Sequence, residues 1–192
     1  ISELIDLINN SSSYTQVDTL LSDIKKRISR TMDLSLGYKI IRLIYKLFRD
    51  SPLWIKNKAF VIFRSLVFHN PENNYINLFN KLNGCKLLID HLKGVNYIHN
   101  VYQVETYIEN IISYFKMCDI DVIEKSFLNN KGIDIFSNCY ILSNNIGFKE
   151  VVIEFMTDLI YNNNVFKYLK NDLRENGVLN YLLQNFIQKH YS

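Results

Sequence analysis

The sequence LSLGYKIIRLIYKLF (Leu34–Phe48) decides the fold, because a glycine followed by an apolar helical segment recurs three times after it. The later segments begin at Gly84 (GCKLLIDHL), Gly132 (GIDIFSNCYIL) and Gly177 (GVLNYLLQNFI), and the intervals between the four glycines are 47, 48 and 45 residues. A helical unit of this length cannot bury its own apolar face, so a period in the forties predicts a solenoid of stacked units.

Each unit has the same predicted order: a short helix, a glycine, a middle helix, a loop and a long helix. This is the three-helix order of an armadillo repeat, so we predict an all-α, armadillo-like right-handed α-solenoid of about four repeats with helical caps. The glycine at 84 follows Asn83, and we expect it to take the left-handed conformation that ends many helices. The single predicted domain comprises an N-terminal cap (1–36), repeat units 37–83, 84–131 and 132–176, and a C-terminal cap (177–192).

Composition and charge limit the classes of partner. Of the 192 residues, 48% are apolar and 21% charged, with six glycines and two prolines, which favours long regular helices in one domain. The net charge of +3 is small and basic residues alternate with acidic ones, so we expect no nucleic-acid partner. No apolar run reaches the ~18 residues that a bilayer span needs, so we expect no membrane insertion.

No residue pattern predicts catalysis or a bound metal. Cys85, Cys118 and Cys139 lack metal-ligand spacing, and whether any of them pair is left open. No nucleophile and base, phosphate-binding loop or metalloprotease motif accompanies the four histidines, so we expect a chain that is not an enzyme and needs no cofactor. Asn9 and Asn10 each begin an Asn-x-Ser sequon, and their glycosylation is also left open.

Function is therefore expected on a surface. In a right-handed armadillo superhelix the long third helices line the concave groove, and their polar or protruding residues should contact a partner. The charge of these residues changes from positive to negative along the chain, which suits a folded partner with both acidic and basic patches, although a solvated face would look similar. The predicted contact residues are Lys56, Phe60, Arg64 and Asn70; Tyr102, Glu105, Glu109 and Tyr114; and Lys149, Glu150, Glu154 and Asp158.

Two segments resemble a known family. LLSDIKKRISRTMDLSLGYKI (Leu20–Ile40) followed by KNKAFVIFRSLVFHNP (Lys56–Pro71) is similar to the armadillo-type nucleotide exchange factors of DnaK-type heat-shock chaperones, particularly the branch that acts on BiP in the endoplasmic reticulum. The similarity lies in a Gly-Tyr-Lys-Ile turn at 37–40, and in a helix that begins near Ala59 and ends at Asn70-Pro71. It covers about a quarter of the chain.

The resemblance implies a mechanism without catalytic side chains. Such factors clasp one lobe of the chaperone's ATPase domain and favour an open nucleotide cleft, so that ADP leaves faster; this requires tighter binding to the open state than to the closed one. Lys56, Phe60 and Arg64 are the contacts expected first. The resemblance also implies a monomer in the lumen of the endoplasmic reticulum, with the cytoplasm as the alternative. A signal peptide would precede Ile1 and lie outside this sequence.

A second hypothesis is an armadillo-like scaffold or adaptor domain that binds a protein partner, as in formin-type cytoskeletal regulators or trafficking proteins. A nuclear-import-type peptide groove is less consistent with the sequence, because Trp54 is the only tryptophan and no Trp/Asn ladder is present. Release of labelled ADP from a DnaK-type ATPase domain distinguishes the first hypothesis from the second.

Overall fold

The computed structural model describes residues 1–29, 32–95, 97 and 99–161, and within these residues all regular structure is helical. The prediction of an all-α chain is confirmed. The fourth glycine, Gly177, and the predicted cap 177–192 lie outside the described residues. The α-helices are α1 (Ser2–Asn10), α2 (Tyr14–Arg27), α3 (Leu34–Asp50), α4 (Leu53–His69), α5 (Tyr75–Lys81), α6 (Gly84–Lys93), α7 (Val101–Phe115), α8 (Ile120–Ser126), α9 (Gly132–Leu142) and α10 (Ile146–Tyr161), with short 3₁₀ turns at Pro71–Asn73 and Leu128–Asn130.

Helix α3 shows how the decisive stretch folds. Its isoleucines, Leu47 and Phe48 recur at helical spacing and are buried, whereas Arg42, Lys46 and Arg49 are exposed. The helix begins at Leu34, so the predicted boundary between 36 and 37 falls within its first turn. Pro52 disfavours the helical conformation for the residue before it, and Ser51 is accordingly extended. Helix α3 therefore ends at Asp50 and α4 begins at Leu53.

The periodic glycines are needed for packing rather than for a left-handed turn. Gly84 and Gly132 are the first residues of α6 and α9, and the left-handed residues are the ones before them, Asn83 (φ 59°) and Lys131 (φ 60°). The prediction that Gly84 takes this conformation is wrong. A Cβ atom on Gly84 would overlap the aromatic ring of Phe79. The first residue of α6 must therefore lack a side chain for this ring to pack against the start of the helix.

The same arrangement recurs at the other periodic glycines in the described residues. A Cβ atom on Gly132 would overlap the ring of Phe127, which precedes it by five residues as Phe79 precedes Gly84. A Cβ atom on Gly37 would overlap the ring of Tyr75, which is the first residue of α5. The period thus marks the positions where an aromatic side chain crosses the first turns of a helix.

The long helices pack side by side in the order α2, α4, α7, α10. Lys58 near the start of α4 pairs with Asp18 near the start of α2, whereas Asn70 at the end of α4 donates from Nδ2 to the carbonyl oxygen of Ser29 (3.2 Å), just after α2. Contacts at corresponding ends mean that α2 and α4 run parallel.

Helices α4 and α7 are also parallel. Asn57 Nδ2 donates to the Gln103 carbonyl oxygen (3.0 Å) near the starts of both helices, and the rings of Phe63 and Tyr114 lie 5.5 Å apart nearer their ends. Helix α10 continues the row in the same direction. Asn145, just before α10, donates to Glu105 near the start of α7, and Lys116, just after α7, donates to Glu154 further along α10. Helices α3, α6 and α9 form a second succession of contacts, α3 with α6 and α6 with α9.

Candidate partner-binding groove

A surface groove lies between the C-terminal halves of α4 and α7. Its volume is about 640 Å³, and most of its lining comes from α4, with the rest from the end of α7 and the residues just after it. We call it the α4–α7 groove. Its lining residues are Val61, Arg64, Ser65, Val67, Phe68, His69, Ser113 and Met117.

The spacing of residues along α4 explains the groove. One face of the helix is buried through residues such as Ala59, Phe63 and Leu66, which meet α3, α2 and α7. Val61 and Phe68 are seven residues apart and lie on a different stripe of the helix surface. Phe68 is 75% exposed, so α4 carries a second apolar stripe that no described residue covers.

One cation lies within this apolar lining. The Arg64 side chain is exposed and has no hydrogen-bond or ion-pair partner in the described part of the chain. His69, also in the lining, packs edge-on against Phe68 with ring centroids 5.3 Å apart. The groove thus presents an unpaired guanidinium beside an exposed aromatic ring, which together can bind a carboxylate and an apolar side chain.

Contacts outside the groove lining hold α4 and α7 together. The rings of Phe60 and Tyr107 lie edge to face at 5.5 Å, and Asn110 Nδ2 donates to Asn57 Oδ1 at 3.4 Å. Phe60 and Tyr107 are both fully buried. Because both aromatic and polar contacts fix the two helices, the groove is present before any partner arrives.

Five of the predicted contact residues are buried, so the expectation that they protrude into a groove is wrong. Lys56 is 1% exposed, and its Nζ atom donates to the Nδ1 atom of His91 at 2.8 Å. Burial lowers the pKa of Lys56 to about 8, against an opposing attraction from Asp50. Burial also lowers the pKa of His91 to about 4, with a further contribution from the charge of Lys56.

Phe60, Asn70 and Tyr114 are buried for structural reasons. The Phe60 ring packs between Phe48, at 4.6 Å between centroids, and Tyr107. Asn70 closes the end of α4, since its Nδ2 atom donates to the carbonyl oxygen of Leu66 (3.1 Å) as well as to that of Ser29, just after α2. The Tyr114 hydroxyl donates to the side chain of Asn80.

Glu105 is the fifth buried contact residue and joins two loops. It is 4% exposed, and its carboxylate accepts hydrogen bonds from Tyr97 Oη (2.7 Å), Ser143 Oγ (2.5 Å) and Asn145 Nδ2 (2.9 Å). Burial alone would raise the pKa of Glu105, but these three hydrogen bonds outweigh it and the pKa is lowered. The carboxylate thus ties the loop before α7 to the loop before α10.

The remaining predicted residues do not gather into one site. Arg64 lines the α4–α7 groove, whereas Tyr102 at the start of α7 is 80% exposed and does not. Glu109 is half-buried, and Lys149 lies with its Nζ atom 5.1 Å from the centre of the Tyr140 ring. Three acidic residues are exposed on α10, one of which pairs with Lys116 at 3.0 Å; they are Glu150, Glu154 and Asp158.

Sequence reasoning missed most of the groove lining, including Val61, Phe68 and Met117. The spacing of Val61 and Phe68, with Arg64 and Ser65 between them, is a signal that could have indicated a second face on α4. Apolar residues at helical spacing usually face the core, and one stripe of α4 departs from that rule.

Comparison of the chain with protein-family models, with curated proteins and with solved structures gives no match. Within the described ranges, no group of three or more His, Cys, Asp or Glu side chains is arranged to hold a metal ion. None of the helices described is both long and apolar enough to cross a bilayer.

Proposed function

We propose that this chain is a short armadillo-like α-solenoid that binds a protein partner through the α4–α7 groove. The parallel succession of α2, α4, α7 and α10 supports the solenoid, because equivalent helices of successive repeats stack in parallel. Neighbouring helices of an up-and-down bundle run antiparallel instead. Helices α4, α7 and α10 correspond to the long third helices predicted from the sequence.

The partner we propose is an acidic amphipathic helix of another protein. The observation that carries this proposal is Arg64, exposed and unpaired, beside the exposed ring of Phe68. An apolar side chain of the partner would pack on Phe68, Val61 and Met117, and a neighbouring carboxylate would bind the Arg64 guanidinium. The hydroxyl groups of Ser65 and Ser113 offer further hydrogen bonds at the wall of the groove.

A binding screen tests this function. Two matched sets of displayed helical peptides would share the same apolar anchors and differ only in flanking residues, Glu in one set and Lys in the other. We expect the Glu set to be enriched on the immobilised full chain. Arg64→Glu and Phe68→Ala should each weaken binding of the selected peptides at least about tenfold, which is the effect of losing about 1.4 kcal/mol or more of binding free energy.

Two exposed residues outside the groove supply matched controls. Arg42→Glu on α3 makes the same charge change, and Tyr102→Ala on α7 removes an exposed aromatic ring; both should leave peptide affinity unchanged. Equal enrichment of the Glu and Lys peptides would contradict the proposal. So would a loss of binding from Arg42→Glu as large as that from Arg64→Glu.

The resemblance to chaperone exchange factors makes a DnaK-type ATPase domain a particular partner to test. One observation favours it: Arg64, among the three contacts expected first, does line the groove, although Lys56 and Phe60 are buried. Under this hypothesis the groove binds the open state of the ATPase domain more tightly than the closed state. The binding free energies of the two states must differ by about 1.4 kcal/mol for each tenfold effect on nucleotide affinity. Residence in the endoplasmic reticulum is part of the same proposal.

Release of labelled ADP from a BiP-type ATPase domain, with and without the chain, tests the exchange activity. Acceleration that Arg64→Glu abolishes and Arg42→Glu retains would support it. If the acidic peptides bind and ADP release is unchanged, the chain is an adaptor of the second hypothesis instead. If neither assay responds, the groove proposal itself fails.

A further inference from the structure

The four parallel helices of the row each begin with an exposed apolar residue. Because α2, α4, α7 and α10 run in the same direction, their first turns lie along one edge of the row. Tyr14 and Ile146 are the first residues of α2 and α10, and Trp54 and Tyr102 are the second residues of α4 and α7. All four side chains are exposed, from 39% for Trp54 to 80% for Tyr102. We call these four residues the apolar edge.

Hydrogen bonds join the starts of neighbouring helices along this edge. Tyr14 Oη donates to the carbonyl oxygen of Asp50 (3.1 Å), just before α4. Asn57 Nδ2 donates to the carbonyl oxygen of Gln103 (3.0 Å) near the starts of α4 and α7, and Glu105 joins the starts of α7 and α10. Successive members of the apolar edge are therefore separated by about one interhelical distance, which is about 8–10 Å for packed helices.

The edge also offers hydrogen-bond donors without acceptors. An α-helix leaves the backbone N–H groups of its first turn without partners in the helix. The side-chain oxygens of Ser13 and Asn145 accept from such groups in α2 and α10. No side chain among the described residues caps α4 or α7 in this way. Uncapped N–H groups therefore lie beside Trp54 and Tyr102, at the centre of the edge.

These features match a proline-rich segment in the polyproline II conformation. This conformation has three residues per turn and rises about 3.1 Å per residue, so every third side chain lies on one face at intervals of about 9 Å. Such intervals match the spacing of neighbouring helices along the edge. Aromatic side chains such as Trp54 and Tyr102 are the surfaces on which proline-rich segments dock. Because proline has no N–H group, the segment offers mainly carbonyl oxygens, which are the acceptors that uncapped N–H groups need.

Two other occupants match the edge less well. The carbonyl oxygens of a helical partner are already bonded within its own helix, so the N–H groups of the edge would stay unpaired. A second copy of the edge would place N–H groups opposite N–H groups, with no acceptor between them. An extended segment rich in carbonyl oxygens is the occupant with complementary polar groups.

We propose that the apolar edge binds a proline-rich, polyproline II segment of another protein. Prolines at every third position pack on Trp54 and Tyr102, and neighbouring carbonyl oxygens accept from the uncapped N–H groups of α4 and α7. The α4–α7 groove lies between the C-terminal halves of the same two helices, and none of its lining residues belongs to the edge. The proposal is therefore independent of the partner proposed for the groove.

The test uses the full chain and two matched peptides of about twelve residues, which at about 3.1 Å per residue are long enough to cross the four helices. One peptide consists of Pro-Pro-Ala repeats, and the other has glycine in place of every proline. Trp54 is the only tryptophan of the chain, so its fluorescence reports directly on contact at the edge. We expect the proline peptide to shift the Trp54 emission to shorter wavelength and the glycine peptide to leave it unchanged.

Fluorescence anisotropy of the labelled proline peptide then compares two matched variants, with circular dichroism to show that each is folded. Tyr102→Ala should weaken binding about fivefold or more, which is the effect of losing an important contact. Phe68→Ala removes a similarly exposed ring from the α4–α7 groove and should leave the affinity unchanged.

Four results would overturn the proposal. The first is that neither peptide binds or that both bind equally, and the second is an affinity that Tyr102→Ala does not reduce more than Phe68→Ala does. The third is tighter binding of a helical, alanine-rich peptide of the same length. The fourth is a dimer in analytical ultracentrifugation that Tyr102→Ala dissociates, because the edge would then bind a second copy of the chain.

Discussion

The Nζ atom of Lys56 lies 2.8 Å from the Nδ1 atom of His91, so a fully buried lysine is held by a neutral imidazole and not by a carboxylate. Burial lowers the pKa of both side chains, to about 8 for Lys56 and to about 4 for His91. Taking the Lys56 charge out of water costs folding free energy, because the attraction from Asp50 offsets only part of the lost hydration. This pair therefore makes the stability of the chain depend on pH.

The first prediction concerns that dependence. Between pH 8 and 10.5 the unfolded chain binds more protons at Lys56 than the folded chain, so the contribution of Lys56 to the free energy of unfolding should rise with pH across this window. The substitution Lys56→Met removes this pH-dependent contribution to the free energy of unfolding. Urea denaturation at several pH values should show that the variant's stability relative to wild type is greatest below pH 8 and declines toward pH 10.5. A difference that is constant with pH would show that Lys56 does not titrate this way.

The second prediction concerns the periodic glycines. Gly84→Ala and Gly132→Ala should each lower the free energy of unfolding by about 1–3 kcal/mol, because the added methyl group overlaps the ring of Phe79 or Phe127 in a closely packed core. Chemical denaturation measures the loss.

Two other glycines serve as controls for this substitution. A Cβ atom on Gly147 or Gly94 meets its nearest neighbour at 3.5 or 3.9 Å, which is ordinary van der Waals contact. Gly147 lies in the first turn of α10, where alanine has the higher helix propensity, so Gly147→Ala should be neutral or stabilise by up to about 1 kcal/mol. Equal losses at all these positions would contradict the packing explanation.

The third prediction concerns Glu105. Glu105→Gln weakens the charge-assisted hydrogen bonds from Tyr97, Ser143 and Asn145, and should cost about 1–3 kcal/mol at pH 7. Because folding lowers the pKa of this carboxyl below its ordinary 4.5, its stabilising contribution is present above pH 4.5. It should be lost as the pH falls through the folded-state pKa, so wild type and variant should converge in acid.

Glu109 provides the opposite case on the same helix. Burial, together with the charge of Glu105, raises the pKa of Glu109, so folding disfavours its ionised form. Glu109→Gln should therefore be neutral or slightly stabilising at pH 7. A larger loss for Glu109→Gln than for Glu105→Gln would invalidate the assignment of Glu105 as the carboxylate that joins the two loops.

Helix positions could be predicted from local sequence because their signals are local. The apolar spacing in Leu34–Phe48 matches α3, and the Asn-Pro sequence at 70–71 marks the end of α4. The role of the glycines could not be predicted in this way. Phe79 and Phe127 are visible five residues before Gly84 and Gly132, but that their rings cross the helix starts is a property of packing.

The candidate site was predicted less well, because burial of polar residues depends on partners that are distant in sequence. Lys56 and Glu105 are charged residues of the kind that usually lie on a solvated helix face. In the structure both are buried, where Lys56 is hydrogen-bonded to His91 and Glu105 to Ser143. Conversely, Phe68 looks like a core residue and is exposed, since α4 has more apolar positions than its neighbours cover. Of the predicted contact residues, only Arg64 lines the α4–α7 groove.

The most direct test of the central claim is a charge swap between Arg64 and a bound peptide, measured by isothermal titration calorimetry. Wild type should prefer the Glu-flanked peptide, and Arg64→Glu should prefer the matched Lys-flanked peptide, with a coupling free energy of about 1 kcal/mol or more. Because Arg64 is exposed, the substitution should change the free energy of unfolding by no more than about 0.5 kcal/mol. An unchanged peptide preference in a fully folded Arg64→Glu variant would contradict binding in the α4–α7 groove.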